Sequence, residues 1–329
     1  MNLSLESRFQ ELWLGSIQSV KGMTIIPLCS DVMYDGIADP SALKMEGNQN
    51  YGQMQFRNED AKIAIVPSNF MAIVKSSVQD HAMGSAGFVE GSSRRRFDNA
   101  CCIQSSQGGY IKEGMESEFS ILPLSLRGKL KGNKRTENKM NRLWDDIKKF
   151  NKNVTKQSGA HLEFFFKEYK DELDEFIAEF EPVENQVGAL IFFGNELVGI
   201  EVAPTNTFWL ESWKWLIRGC YGAEFVRQNK LGRNFERLPL PSLSAASSVG
   251  EIRGIIENHI EDFVFQFASK VSGNWKMVSS IYQENPTNRL VFVSANDLNG
   301  DMLFVGNEGE NKPVYISLYH KSIDKGSKV

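Results

Sequence analysis

The sequence predicts an α+β protein with a β-rich N-terminal part, a helical middle segment, a βα unit, and a C-terminal helix plus antiparallel strands. Three observations predict this class. Short apolar runs separated by glycine and serine clusters occupy residues 62–126, which is typical of antiparallel strands. Residues 162–180 and 249–271 repeat apolar side chains with a helical period. Residues 277–319 return to strand-like runs.

Composition is that of a globular protein and excludes several classes. The chain has 329 residues, of which 41% are hydrophobic, and a net charge of −4. It is therefore too long for a disulfide-stapled mini-protein and too apolar for a disordered tail, and the charge gives no support to a nucleic-acid partner. The four cysteines show no Cys-x-x-Cys spacing, which favours reduced thiols. No apolar run is long enough to span a bilayer and no signal peptide is recognisable, so we expect a cytoplasmic protein.

The N-terminal elements follow from turn signals and apolar runs. Strands are predicted over 11–19 and 23–28, on either side of a turn at Val20-Lys21-Gly22. Pro40 predicts the start of a short helix capped by Asp39. Arg94–Arg96 are expected in a hairpin loop, because they follow Gly91-Ser92-Ser93. Five further strands are predicted at 62–67, 70–75, 82–89, 99–104 and 119–124.

The middle of the chain carries two blocks of opposite charge. Residues 129–156 have a balance of +7, and residues 163–184 have a balance of −7. The first interpretation is two solvated helix faces that attract each other. The alternative is a nucleic-acid site, although no aromatic residue interrupts the basic residues of 129–135.

The C-terminal half begins with a clear hairpin. Gly194-Asn195 separates two apolar runs, and a helix capped near 205–207 follows with Trp209 and Trp213 on its core face. Ser248 and Glu251 form a capping-box signature for a later helix. These elements predict a domain at 1–237 (β-rich 12–126, helical 136–181, hairpin and helix 186–222), a linker at 238–247, and an extension at 248–329.

Reactive and hydrogen-bonding side chains concentrate between residues 79 and 107. Glutamine amides bind polar ligands but cannot act as acids or bases, which favours binding over catalysis. No two histidines have a metal-ligand spacing, so no metal site is predicted, and the sequence identifies no cofactor. The predicted ligand-binding residues are Gln79, Asp80, His81, Gln104, Gln107 and Arg95, and the candidate catalytic residues are Asp80, His81 and Cys102.

Within this region, strand alternation constrains which residues can cooperate. Asp80 and His81 would face opposite sides of a strand, so Asp80 would not orient His81 directly. Cys101 and Cys102 would also face opposite sides, and we expect one of them to be buried as a small hydrophobic residue. The alternative for Cys102 is a nucleophile. The arginine triplet is interpreted as solvated, with an anion contact as the alternative.

Several short motifs in a fixed order carry a family resemblance over about residues 12–228. They are Ile26-Pro27-Leu28, Gln79-Asp80-His81-Ala82-Met83, Cys102-Ile103-Gln104, Leu143-Trp144-Asp145-Asp146, Gln186-Val187-Gly188-Ala189 and Val198-Gly199-Ile200. In this order they resemble the ADP-ribosylglycohydrolase- and rhodanese-phosphatase-associated protein family of bacteria. His81 stands where the family has arginine, and Gln104 where it has glutamate. The resemblance implies a role near nucleotide, ADP-ribose or NAD-linked chemistry, with no established reaction.

Three functional hypotheses follow. The preferred one is a sensor or accessory module that binds a small polar or anionic ligand, such as a nucleotide or ADP-ribose, through the predicted residues. The second is a hydrolase or transferase acting on a nucleotide-derived substrate. The third is a protein-interaction component in which the charged blocks dock a partner or a second copy of the chain.

Overall fold

The computed structural model has an α+β fold, as predicted, built on one large antiparallel sheet. It describes residues 6–47, 50–74, 78–105, 108–112, 114–129, 138–237, 246–251, 254–255, 258–259, 276–285, 288–295, 298–305 and 312–321. Three smaller antiparallel sheets and a set of short helices pack around the large sheet. Strands therefore dominate the N-terminal part and the C-terminal end, and helices separate them.

The large sheet contains strands from both ends of the chain. The order is β1-β3-β13-β14-β18-β17-β16-β15, with β2 also paired to β3. Its strands are β1 (Trp13–Leu14), β2 (Gln18–Val20), β3 (Met23–Cys29), β13 (Gln186–Phe193), β14 (Glu196–Val202), β15 (Lys276–Asn285), β16 (Asn288–Ala295), β17 (Leu298–Val305) and β18 (Pro313–His320).

The predicted hairpin at Gly194-Asn195 is confirmed, since β13 and β14 pair on either side of it. The last strand, β18, pairs with β14 in the register Glu201↔Ser317. The C-terminal strands therefore continue the sheet of the first 237 residues, although the sequence placed them in a separate extension.

The β-rich N-terminal part forms the three smaller sheets. Their orders are β10-β5-β4, β11-β8-β7-β12 and β6-β9. The strands are β4 (Leu43–Glu46), β5 (Met54–Asn58), β6 (Ala64–Val66), β7 (Phe70–Val74), β8 (His81–Met83), β9 (Gly87–Val89), β10 (Arg94–Phe97), β11 (Ala100–Cys102) and β12 (Ser117–Ile121).

One local prediction in this part is wrong: the arginine triplet belongs to strand β10 rather than to a loop. Phe97 is buried while Arg94 and Arg96 face solvent, so alternation along a strand explains the sequence better than a turn does.

The helices are short. They are α1 (Glu6–Phe9), α2 (Leu124–Arg127), α3 (Asn138–Asn151), α4 (Glu163–Glu168), α5 (Lys170–Ala178), α6 (Asn206–Trp213) and α7 (Ala223–Lys230), with a 3-10 turn at Pro40–Ala42 and a π-helix at Lys214–Gly222.

Three predicted helix starts can be compared with the structure. Thr205 caps α6 by accepting a hydrogen bond from the Phe208 N–H, which confirms the predicted cap. Asp39 makes no side-chain cap, and Pro40 begins only a 3-10 turn. The Glu251 N–H donates to Ser248 Oγ as the capping box predicts, but most of that helix lies outside the described residues.

A buried polar network joins the middle of the chain to its last strands. Arg127 is fully buried and donates to Glu201 Oε1 at 2.7 Å and to the Ser317 hydroxyl. Its guanidinium also lies over the ring of Tyr319. Burial opposes the charge of Arg127, but the Glu201 carboxylate more than offsets this and raises the pKa of Arg127 above its ordinary value. The network thus fixes α2 against β14 and β18.

Candidate ligand-binding site

The two sequence segments predicted to share a site do lie side by side. Strands β8 and β11 pair antiparallel, with Cys102 opposite His81. The Asp80 carbonyl accepts from the Ile103 N–H at 2.9 Å. The structure therefore places the Asp80-His81 pair beside the Cys101-Cys102 pair, but all four residues are buried and none of them lines the cavity described below, so the expectation of one shared cavity is not met.

Asp80 lies in the interior, and its side chain accepts a hydrogen bond from the backbone. Its Oδ1 accepts a hydrogen bond from the Val74 N–H at 2.8 Å, and its own N–H donates to Gln104 Oε1 at 3.4 Å. Gln104 Nε2 in turn donates to Glu163 Oε1 at 3.2 Å. Burial raises the pKa of Asp80 to about 7, although the Val74 hydrogen bond opposes this change. Asp80 thus connects through Gln104 to a carboxylate near the surface.

His81 and Cys102 are also buried. The His81 Nδ1 donates to the Gln79 carbonyl at 2.8 Å, which leaves Nε2 as an unprotonated acceptor, and burial lowers the pKa of the ring. Cys102 Sγ donates to the Gln104 carbonyl, and burial raises the pKa of this thiol to about 11. Little of it is the thiolate near pH 7, and the thiolate is the nucleophilic form.

Both neighbouring cysteines are buried, which corrects the expectation of one exposed thiol. The two side chains do face opposite sides of β11, but the second side is also covered. Cys101 packs in a cluster with Leu143 and Ile147 of α3, and the Trp144 indole donates to the Cys102 carbonyl. A helix therefore covers the face of the sheet that the strand pattern left open.

The contacts that the structure gives for Arg95 lie away from this cluster. Arg95 donates to the Phe88 carbonyl at 2.7 Å and lies over the Phe97 ring. It is therefore part of the packing of β10 against β9. Gln107 lies outside the described residues. Gln79 is buried, and its Oε1 has no hydrogen-bond partner among the residues that the structure describes.

The raised pKa of Asp80 predicts a pH-dependent stability. Between the unfolded pKa near 4 and the folded value of about 7, the folded protein holds a proton that the unfolded chain has lost. The stability that the neutral Asp80 carboxyl contributes to the fold is therefore fully present below about pH 4, and it is lost as the pH rises through about 7. We expect Asp80→Asn, which keeps an acceptor for Val74, to match the parent at acidic pH and to be more stable at pH 8 by a few kcal/mol.

Urea unfolding between pH 4.5 and 8.5 would measure this difference. Asp171→Asn is the control, because the Asp171 side chain is 95% exposed, and this variant should follow the parent at every pH. A variant of Asp80 that is less stable than the parent at pH 8 would show instead that an ionised carboxylate is required there.

A separate cavity of about 380 Å³ opens between the smaller sheets and the π-helix. Its size lies within the range of small-molecule sites. Its lining is mainly apolar, with four aromatic rings, and three polar residues also contribute. The lining residues are Pro40, Ser41, Leu43, Lys44, Phe56, Val66, Pro67, Phe70, Phe119, Glu211 and Trp215.

The aromatic rings of the cavity hold one another in place. The Phe70 ring lies 5.1 Å from that of Phe119 and 5.5 Å from that of Trp215, measured between centroids. Phe119 and Trp215 meet nearly perpendicularly, at 85°. Such edge-to-face contacts are favourable for aromatic pairs. The rings therefore form a preorganised wall.

The position of Trp215 depends on an unusual helix. A π-helix is rare and occurs often at functional sites, and here it spans Lys214–Gly222. A Cβ added at Gly219 would lie 1.7 Å from Ser120 Oγ. Only glycine at this position allows the π-helix to approach β12 so closely, and this approach brings Trp215 beside Phe119.

His81 and Cys102 project to the same face of a sheet as the cavity residue Phe119. Cys102, His81, Ala72 and Phe119 are successive cross-strand partners on β11, β8, β7 and β12. Directly paired residues of antiparallel strands project on the same side, and two strand spacings amount to about 10 Å. His81 therefore projects to the same side of this sheet as Phe119, two strands away, but it does not line the cavity.

Sequence reasoning missed the cavity because its residues come from distant segments. Phe56, Phe70 and Phe119 each occupy ordinary strand positions, and Trp215 follows the core tryptophans Trp209 and Trp213. The one available signal was that Trp215 does not share their helical face. A π-helix is not recognisable from apolar periodicity, so this signal had no structural meaning before the fold was known.

Among the residues that the structure describes, no helix combines the length and the hydropathy that a membrane span requires. Within the same residues, no three histidine, cysteine, aspartate or glutamate side chains converge into a group that could hold a metal ion.

The fold and cavity define an α+β protein with a partly open cavity lined by apolar and aromatic side chains. A comparison with family models matches residues 11–257 to the ARG and Rhodanese-Phosphatase-superfamily-associated Protein domain. The chain belongs to this family, which is associated with ADP-ribosylglycohydrolase and rhodanese-phosphatase genes. No curated protein and no solved structure matches the chain. All the cavity residues lie within the matched segment.

Proposed function

We propose that this protein is a binding module for a small ligand with a flat unsaturated ring, and that the ring lies in the aromatic cavity. One observation carries the proposal, namely the cavity of about 380 Å³ walled by Phe56, Phe70, Phe119 and Trp215. Stacking on such rings contributes about 1–3 kcal/mol for a nucleobase, so the wall alone provides substantial affinity.

The margin of the cavity supplies polar groups that can orient a ring. Glu211 Oε2 accepts from the Ser41 N–H at 2.6 Å, which fixes the carboxylate at the edge of the cavity. A carboxylate accepts hydrogen bonds from ring and exocyclic N–H groups. The Lys44 ammonium donates to the Ser41 carbonyl at 3.0 Å and places a positive charge beside the same edge.

A nucleotide or ADP-ribose is the ligand class that combines these requirements. It joins a flat base, suited to the aromatic wall, to anionic groups, suited to Lys44. The association of the family with ADP-ribosylglycohydrolases supports this choice. A module of this kind would sense or deliver such a ligand rather than transform it.

The residues predicted from the sequence have a different place in this proposal. Asp80, His81 and Gln104 are nearly or fully buried, and we propose that they stabilise the sheet that carries Phe70 and Phe119. Direct ligand contacts by Gln79, Asp80, His81 and Gln104, and catalysis by Asp80, His81 or Cys102, stay predictions. Product analysis of an incubated nucleotide would detect catalysis independently of binding.

Calorimetric titration with adenosine and ADP-ribose tests the proposed function. We expect both to bind, and Trp215→Ala to weaken both by about tenfold or more, because a stacking partner is lost. Phe119→Leu should weaken them less, since the site keeps its apolar surface. Variants are compared only where their thermal unfolding shows that they are folded.

Trp13→Ala is the matched control, because Trp13 is 43% exposed and does not line the cavity. It should leave both affinities unchanged. If neither adenosine nor ADP-ribose binds the parent protein, or if Trp215→Ala and Trp13→Ala have the same effect, the cavity is not the nucleotide site.

A further inference from the structure

A row of three cations begins at the margin of the cavity. Lys44 on β4 pairs directly with Arg57 on β5, and Arg57 pairs directly with Arg94 on β10. Directly paired residues project on the same side of a sheet. The strand order β10-β5-β4 makes Lys44 the edge position, and the row therefore leads from the cavity onto the outer face of the sheet.

The neighbouring residues confirm which face this is. Phe56 and Phe97 are buried on the opposite side of the same strands. Arg94 is 63% exposed and Arg57 is 38% exposed. The three cations are therefore accessible from solvent, while the other face of the sheet contributes Phe56 to the cavity.

A buried carboxylate fixes the two arginines beside each other. The Nε atoms of Arg94 and Arg57 lie 2.9 Å and 3.3 Å from the same oxygen, Glu46 Oε1. The Glu46 side chain is only 8% exposed, and its second oxygen accepts from Gln55 Nε2 at 2.7 Å. Glu46 therefore lies at ion-pair distance from both guanidinium groups, while the Arg94 side chain stays mostly exposed to solvent.

We propose that Lys44, Arg57 and Arg94 bind a phosphate-bearing segment of the ligand, and that the ligand class is a nucleoside diphosphate or a diphosphate ester such as ADP-ribose. This inference rests on the proposed function, because the base would occupy the cavity. Arginine binds phosphate oxygens through paired N–H groups and lysine binds them as a point charge. Adjacent strands lie about 4.8 Å apart, so neighbouring cations can contact successive phosphates.

The row differs from an ordinary charged surface in two respects. First, Lys44 has no carboxylate partner among the described residues and instead caps the Ser41 carbonyl. Second, the carboxylate shared by the two arginines belongs to the nearly buried Glu46, and Glu59 contacts Arg57 Nη2 at 3.1 Å. Two carboxylates therefore balance three cations, and the row keeps a net positive charge for an incoming anion.

Titration of the full chain with adenosine, AMP and ADP at low and high salt tests the inference. We expect affinity to increase from adenosine to ADP by about tenfold or more, and this gain to shrink as ionic strength rises. Arg57→Gln and Arg94→Gln should each remove a large part of the gain for ADP and leave adenosine binding unchanged. Lys44→Gln should act in the same direction.

Lys149→Gln is the control with the same charge change. Its ammonium is 75% exposed on α3 and pairs with Asp146, and the variant should keep the full preference for ADP. Equal affinities for adenosine and ADP, or a preference for ADP that survives both arginine variants, would overturn the phosphate row while leaving the cavity as a base site. Failure of adenosine and ADP alike to bind would overturn the proposed function itself.

The same experiment distinguishes binding of a macromolecular polyanion from binding of a nucleotide. Single-stranded oligonucleotides would then bind more tightly than ADP, with an affinity that increases with length, and Trp215→Ala would have no effect. That result would overturn the inference, because it would show that the cations act without the cavity.

Discussion

Replacement of Arg127 by methionine is expected to destabilise the protein by about 3–5 kcal/mol, the usual cost of removing one partner of a buried ion pair. Arg127 and Glu201 are both fully buried, and their side chains meet at 2.7 Å. Without Arg127, Glu201 would keep a charge in the protein interior, and among the described residues the Tyr221 hydroxyl, at 2.6 Å, would be its one remaining donor. Guanidinium unfolding curves would measure the loss.

Two further variants show whether the charge is the cause. The double variant Arg127→Met, Glu201→Gln should recover a large part of the lost stability, since no buried charge remains. Arg218→Met is the matched control, because its partner Asp174 is 39% exposed, and water can replace the lost contact. A loss for Arg218→Met as large as that for Arg127→Met would indicate that side-chain packing, rather than the buried charge, dominates.

Removal of the C-terminal strands is expected to abolish the fold. A chain ending at residue 257, where the family match ends, would expose the edge of β14 that β18 covers. It would also remove Ser317 and Tyr319 from the contacts of Arg127. We expect the shortened chain to aggregate or to lose cooperative unfolding, as measured by circular dichroism and size-exclusion chromatography. A soluble, cooperatively unfolding product would show that residues 1–257 fold independently.

A pair of point variants examines the same interface in the full chain. A Cβ at Gly300 would lie 1.9 Å from the Ser317 carbonyl oxygen, whereas a Cβ at Gly36 would meet nothing within 4 Å. Gly300→Ala should therefore push β17 from β18 and cost about 1–3 kcal/mol, in the range of overpacked sites. Gly36→Ala should be close to neutral. Equal effects of the two would mean that the β17–β18 contact contributes little to stability.

The sequence predicted local elements well where one chemical signal acts over a few residues. The Gly194-Asn195 hairpin, the Thr205 cap and the presence of antiparallel C-terminal strands all follow from such signals, and the structure confirms them. The charge of the arginine triplet and the glycine before it together predict a loop. The alternation of the triplet with Phe97 was the stronger signal for a strand.

In the candidate site, the burial of the side chains could not be predicted from the sequence. The reactive residues predicted that the two stretches share a ligand site, but not that they are buried, because burial depends on α3 covering the second face. The preference for amides as ligand contacts assumed exposed side chains. Gln104 uses its amide to join Asp80 to Glu163 instead, since a buried polar group needs internal partners.

The sequence by itself determined the fold class, many of the strands and helices, and membership of the ARG and Rhodanese-Phosphatase-superfamily-associated Protein family, because these depend on periodicity, turns and short motifs. Only the tertiary structure decided where a ligand can bind. The cavity joins Phe56, Phe70, Phe119 and Trp215 across nearly half of the chain, and the cations beside it are neighbours through strand register rather than through sequence. Contacts between distant segments depend on how the sheets and the π-helix pack, and no local pattern in the chain encodes that packing.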